Sequence, residues 1–355
     1  MASPLCLLLL PRTLEQFILR DQATDLLRSP GVVAIEPARL PYGAYARLPA
    51  TVGDALAVTQ ARRLRRGLRA PVGVVVIFHP LQYPLARALV AREGAELWYG
   101  RWDRYEAAYD AGPRLRERLT ELHELAAERS SLTFAASVEL VRLEREAGRQ
   151  AVLTPLAADS FPALAVDPPP SARGDGDGDE VVAVSLGHLG RRVDWALLRT
   201  VVEAMPELRL LLIGARHDDE SGDDVDFAAL RESDRVEWLG ALGDDAAAQA
   251  IGRGDVGIVP FKVEPFNDAG LPYRILKYAR QGRRTVSPEL AGAHTWDRAV
   301  TFATDPAAFV AALREQRGRR SAPDLELRAW ALEQTAWRQN APLWDRLEAL
   351  GIAQR

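Results

Sequence analysis

The chain has 355 residues, 48% of them hydrophobic and 26% charged, with a formal net charge of -4. That is about twice a typical domain length in an ordinary globular composition, so two cored domains are expected and disordered or fibrous classes are excluded. The small net charge argues against a nucleic-acid footprint spread over the surface, and the single cysteine, Cys6, excludes an internal disulfide or a multi-thiolate metal site and fits a reducing compartment.

The apolar opening Leu5–Leu10 has no basic lead-in and no small-residue cleavage site, so it reads as a first strand and not as a signal peptide. Further apolar runs predict strands at Val32–Glu36, Val72–His79, Ala95–Tyr99, Leu132–Ala136 and Gln150–Thr154. Helical periodicity falls between them, around Thr13–Leu27, Gly53–Leu68, Leu85–Arg92, Pro113–Glu128 and Val138–Ala147. This alternation predicts a doubly wound α/β domain over residues 1–166. No run approaches the ~18 apolar residues of a membrane span, so a cytoplasmic protein is expected.

Residues 167–180, DPPPSARGDGDGDE, lack periodicity and read as a linker. Their Asp-Gly alternation does not make a calcium loop, because counting from Asp175 the sixth and twelfth places hold Glu180 and Leu186 where glycine and glutamate are needed. Strands are then predicted at Val181–Leu186, Leu208–Ile213, Val236–Leu239, Val256–Pro260 and Arg284–Ser287, with helices at Trp195–Ala204, Phe227–Arg231, Asp244–Arg253 and Tyr273–Arg280. A second Rossmann-like domain over 181–320 follows, with helices over 321–355 expected to return to the first domain. Tandem domains of this kind usually hold a ligand between them, outside the carboxyl ends of the strands.

The strand ending at Gly187 runs through His188, Leu189, Gly190, Arg191 and Arg192 into a helix near Asp194. Two glycines permit close backbone approach and a helix N-terminus favours an anion, so a diphosphate suits the place; a plain structural turn has the same sequence. A second element strengthens the first reading. After the strand Val256–Pro260 comes a long polar loop and a helix opened by Pro272, with Arg274 and Lys277 in its first turns. Cations there oppose the helix dipole unless an anion compensates them, or unless they reach into water. Lys262 and Lys277, both in this stretch, are the chain's only lysines.

Pro260-Phe261, Pro272, Arg274, Lys277, Tyr278, Ala279, Gly282 and Val286 together resemble the donor-binding segment of glycosyltransferase family 4 (group 1), in its teichuronic-acid-type branch. Val181–Trp195, Leu208–Gly214 and Val236–Gly240 fit further blocks of that family in order. Arg20-Asp21-Gln22, Ala34–Pro37, Tyr99–Tyr105, Phe134–Ser137, Pro155–Phe161 and Ala336-Trp337 match in degenerate form, so the resemblance covers nearly the whole chain. It implies a GT-B architecture of two Rossmann-like domains and a retaining, metal-independent, hexosyltransferase-like transfer from a nucleotide-diphosphate sugar. It implies no cofactor beyond that donor. The acceptor would be a cell-surface polysaccharide, a glycolipid or a natural product. Gly187, His188, Arg191, Arg274, Lys277 and Tyr278 would hold the donor, with Arg274 also compensating the departing diphosphate. The family's two glutamates, eight positions apart, are replaced by Ala269 and Lys277. Lysine cannot accept from a ribose hydroxyl, so a non-catalytic binding or scaffold protein is the alternative.

In the first half His79 closes the strand VVVIFH, where the resemblance places it near donor sugar or acceptor; a loop carbonyl is the plainer partner. Asp103, inside WYGRWDRY, could accept from an acceptor hydroxyl or cap a loop. His123, His217 and His294 show no convergent partners and read as surface residues. The pairs Asp218-Asp219, Asp223-Asp224 and Asp244-Asp245 read as solvated or capping, so no metal is expected. Arg62-Arg63-Leu64-Arg65-Arg66-Gly67-Leu68-Arg69 forms a basic helix end, either a solvated face or a peripheral contact with anionic membrane. An epimerase or phosphorylase would need a carboxylate pair or cofactor lysine, and no convincing one stands in the sequence.

Overall fold

A computed structural model describes residues 3–37, 42–108, 111–165 and 179–353. Most of the linker read at 167–180, with the Asp-Gly run, lies outside them. The described residues divide into two compact units. The first holds those up to Ala157, Ala269–Leu271 and those from Ala336 onward; the second holds Ala158–Asp268 and Pro272–Thr335.

The first unit is built on β1 (Leu5–Leu9), β2 (Val32–Ile35), β3 (Val72–Ile77), β4 (Glu96–Arg101), β5 (Leu132–Ala135) and β6 (Val152–Leu153). They form one parallel sheet in the order β2-β1-β3-β4-β5-β6. The run Cys6–Leu10 and Val74–Ile77 are buried, because a parallel strand covered by helices on both faces needs apolar side chains at odd and even positions alike. Burial pushes the Cys6 thiol far up, leaving it an inert core residue. The sheet order reverses between β1 and β3, so their carboxyl ends border a crevice.

The second unit repeats the plan with β7 (Val181–Leu186), β8 (Leu208–Ile213), β9 (Val236–Gly240), β10 (Val256–Ile258), β11 (Thr285–Pro288) and β12 (Val300–Ala303). Its parallel order is β12-β11-β10-β7-β8-β9, and the reversal falls between β7 and β10. The helix Trp195–Ala204 covers one face, burying Trp195, Leu198, Val201 and Val202 with Phe227 and Phe309.

Several local expectations are corrected. The helix expected over Thr13–Leu27 is a single 3-10 turn, Leu14–Gln16, followed by a helix at Arg20–Leu26, with Leu19 between them outside helical geometry. The long polar loop before Arg274 contains a short helix, Pro265–Ala269. The helix expected from Pro272 starts at Arg274. Helices at Gly43–Arg47 and Ala291–Ala299 and the strand β12 were not foreseen. Among the described residues no helix is long and apolar enough to cross a membrane.

Candidate functional site

The second unit's switch point brings Gly187 and Arg274 together, two of the residues expected to hold a ligand. Gly187 follows β7 with φ +119° and Gly214 follows β8 with φ +149°, a region of backbone space that favours glycine. A methyl group on Gly214 would fall 1.8 Å from the Gly187 carbonyl oxygen, so the two turns can lie side by side only with glycine at 214. The turn after β7 is also tied to the segment after β10: the Asp194 N–H donates to the Pro260 carbonyl (2.8 Å) and the Lys262 N–H to that of Arg192 (3.0 Å).

Arg274 reaches into this junction. A methyl on Gly187 would stand 2.6 Å from its Nη2. Its guanidinium lies over the Phe261 ring at 4.5 Å, and that of Arg192 over the same ring at 4.6 Å. Arg192 is held by the buried Asn267, whose Oδ1 accepts from its Nε (2.9 Å). Arg274 is nine-tenths buried and its Nη1 has no hydrogen-bond partner; among the described residues it pairs with no carboxylate. Burial, with the Arg192 charge adding to it, lowers its pKa to about 10, so it remains a cation at neutral pH. The N–H groups of His188, Gly190 and Arg192 likewise make no hydrogen bond among the described residues. An enclosed cation without a carboxylate partner can seat an anion.

The helix N-terminus expected to share in that seat does not stand open. Asp194 caps it, its Oδ1 accepting from the Leu197 N–H (2.9 Å), so a carboxylate already occupies the positive end. Arg191 is exposed, and its N–H donates to Glu220 (3.1 Å). Lys277 is engaged elsewhere, with Asp244 at 3.2 Å and the Phe161 ring at 4.5 Å. Tyr278 is fully enclosed; its hydroxyl accepts from the Leu186 N–H (2.7 Å) and donates to the Ile258 carbonyl (3.2 Å), fixing the ends of β7 and β10 from beneath. Ala269, at the place of the family's first glutamate, packs in the first unit with Ala135, Leu140 and Val141, and its carbonyl accepts from Ser137 (2.6 Å).

In the first unit His79 stands directly past β3 at the switch point. Its Nδ1 accepts from the Leu81 N–H (3.1 Å), which leaves Nε2 as the protonated nitrogen in the neutral ring. Gln82 ties the crevice, accepting from the Phe78 and His79 N–H groups and donating to the Leu9 carbonyl at the end of β1. The His79 ring lies 4.5 Å from that of Tyr105, two residues past Asp103, so the carboxyl ends of β3 and β4 bring His79 and Asp103 to one edge. Burial lowers the His79 pKa to about 4.

An unfolded histidine titrates near ~6.5, so between these values the unfolded chain binds a proton that folded His79 refuses. Stability is therefore expected to fall as pH drops from about 6.5 toward 4, by about 1.4 kcal/mol per unit from this group. His79→Gln should flatten that slope in a melting series; an unchanged slope assigns acid sensitivity to other groups.

The remaining histidines are not free surface residues. His123 is buried, its Nδ1 3.1 Å from the Tyr99 hydroxyl. His294 lies between Glu289 and Asp297, each at 2.7 Å. The His217 ring lies tilted against that of His188, with ring centroids 4.0 Å apart. Asp224 caps its helix, accepting from the Phe227 N–H, as expected of those acidic pairs. Arg62, Arg63, Arg66 and Arg69 are exposed, while Arg65 is paired with Glu93 at 2.8 Å.

No family model matches the sequence. Sucrose-phosphate synthase of Thermosynechococcus elongatus superposes with a TM-score of 0.72 over 98% of this chain and 100% of its own, at 15% identity. This is the GT-B fold. A glycosyltransferase of Rickettsia africae superposes at 0.67 over 99% of both chains with 11% identity. Anabaena Alr3699/HepE, solved in complex with UDP and glucose, does so at 0.65 over 97% of this chain and 99% of its own, with 13% identity. In sequence, 142 residues are 22% identical to TuaH of Bacillus subtilis, named as a candidate teichuronic acid biosynthesis glycosyltransferase. That match takes in 39% of this chain and 35% of the relative.

Arg192, Phe261 as a platform for two guanidiniums, and Asn267 were not singled out as site residues from sequence. An arginine next to a glycine turn is the only signal that pointed to Arg192.

Proposed function

We propose that this protein transfers a sugar from a nucleotide-diphosphate donor, with the diphosphate held at the second unit's switch point. The observation that carries the reading is the enclosed, unpaired Arg274 guanidinium against Gly187. An isolated buried cation is costly in an empty site and compensates charge on a departing diphosphate in a filled one. The neighbours support the donor class, since one is described with UDP and glucose and another is a sucrose-phosphate synthase. The motifs from Pro260 to Gly282 favour family 4 within that fold, and with it a retaining course that needs no metal. We assign the acceptor, a polysaccharide, glycolipid or small molecule, to the first unit, with His79 donating through Nε2 and Asp103 accepting from a hydroxyl. The exposed arginines of the Arg62–Arg69 segment are proposed to meet anionic lipid from the cytoplasmic side; equal co-sedimentation with neutral and anionic liposomes would remove that contact.

A second reading has its own observation. Ala269 is enclosed and Lys277 is paired with Asp244, so neither position can grip a ribose as the family's glutamates do. On that reading the protein binds a nucleotide without turnover. Release of nucleoside diphosphate from a panel of UDP-, GDP- and ADP-sugars decides between them. Turnover establishes the transferase; melting shifts with these ligands but no release establishes the binding protein, and neither shift nor release refutes both.

A further inference from the structure

We infer that His188, His217 and Glu220 form a binding site for a borderline divalent ion such as Zn2+ or Co2+. The inference asks nothing of a sugar donor, although His188 and Gly190 belong to the same turn after β7 that borders Arg274. One ligand atom from each of the three residues lies within 4.8 Å of the others. His188 Nε2 is 2.9 Å from Glu220 Oε2, and His217 Nδ1 is 4.0 Å from Glu220 Oε1. Metal–ligand bonds of ~2.0–2.2 Å in a tetrahedral shell place ligand atoms roughly 3.3 Å apart, so small side-chain rotations complete the set. Two imidazoles and a carboxylate are hard enough for zinc-like ions and leave a fourth position open.

The backbone pre-forms the arrangement. The turn after β7 and the segment after β8 are bridged at Leu189 and Arg216, with the His217 N–H donating to the Leu189 carbonyl (3.3 Å). His217 immediately precedes the short helix Asp218–Ser221 that carries Glu220, so both are delivered to His188 together. Gly190 provides the second, independent observation. A methyl there would fall 2.1 Å from Glu220 Oε2 and 2.4 Å from His188 Nε2, so any side chain would fill the space between the ligand atoms. The Arg191 N–H donates to Glu220 Oε2 (3.1 Å) and so holds the carboxylate beside His188. Protons and a metal ion compete for imidazole nitrogens and carboxylates, so binding is weakened in acid. His294 offers no such site, because its two carboxylates sit on opposite ring nitrogens. Sequence alone expected no metal, because the acidic pairs read as solvated or capping and His217 showed no convergent partner.

The test is equilibrium dialysis of chelator-stripped full-length protein against Co2+, with metal content and visible d–d absorption as readouts. One equivalent is expected, with an absorption band of low-symmetry cobalt. His217→Ala and Glu220→Gln should each weaken retention at least tenfold, while His294→Ala leaves it unchanged. Far-UV circular dichroism of the stripped variants, expected to equal that of wild type, separates ligand loss from misfolding. Failure of wild type to retain cobalt, or retention that survives His217→Ala, overturns the site.

Discussion

Arg274→Met is expected to lower donor turnover about 10²–10³-fold while leaving the stripped protein as stable as wild type or more so. The two effects separate because of where the guanidinium stands. It is enclosed, its Nη1 lacks a partner, and no carboxylate among the described residues offsets it. Buried charge without a partner destabilises, and only its contact with Phe261 at 4.5 Å repays part of that cost. An apolar chain of similar volume keeps the packing and removes the penalty. In the presence of a nucleotide-diphosphate donor the balance reverses, since the cation then meets charge that grows as the sugar–phosphate bond breaks. Arg274→Lys should fall between, keeping the charge and losing the planar fork. Turnover and melting temperature of the three proteins check the argument. A variant that is less stable yet equally active would show Arg274 to be a packing residue.

Much of the second unit was legible because its signals are local. The runs Val181–Leu186 and Leu208–Ile213 are apolar at every buried position except Ser185, and the helix Trp195–Ala204 is announced by its Asp194 cap and apolar stripe. The turn at Gly187 followed from a strand meeting a glycine before that helix. What was not legible depends on distant pairing. Strand β12 has only four residues, and they become a strand by pairing with β11. The helix Pro265–Ala269 carries proline, asparagine and aspartate, which favour turns in isolation; tertiary packing of Asn267 and Ala269 overrides them. Arg274 was readable as a cation at the proposed anion site, but Lys277 looked the same in sequence, and its Asp244 partner, 33 residues away, distinguishes it. The histidines failed for the same reason: His123 and His217 acquire partners that no spacing rule anticipates.

The buried ionic cluster behind β4 carries the largest expected stability effect. Glu144 is completely enclosed and accepts from Arg101 Nη1 and Arg149 Nε, both at 2.6 Å, with His123 Nε2 at 3.5 Å. Arg101 ends β4, two residues before Asp103, so the cluster anchors the edge on which Asp103 and His79 stand. Burial, with the nearby Arg101 and Arg149 charges, lowers the His123 pKa to about 3, keeping that ring neutral and the carboxylate available to the arginines. Glu144→Ala leaves Arg101 buried with Glu106 as its remaining carboxylate at 2.6 Å. The loss should be about 3–5 kcal/mol, lowering the melting temperature by roughly 10 °C. Replacing both partners removes the buried Arg101 charge and leaves Glu106 to Arg104 and Arg149 to Glu124, so Arg101→Met with Glu144→Leu should cost less than Glu144→Ala alone. Urea titrations of the single and double variants measure this. If the double variant is the less stable, the pair is a net source of stability and not a positioning device whose members are costly only when separated.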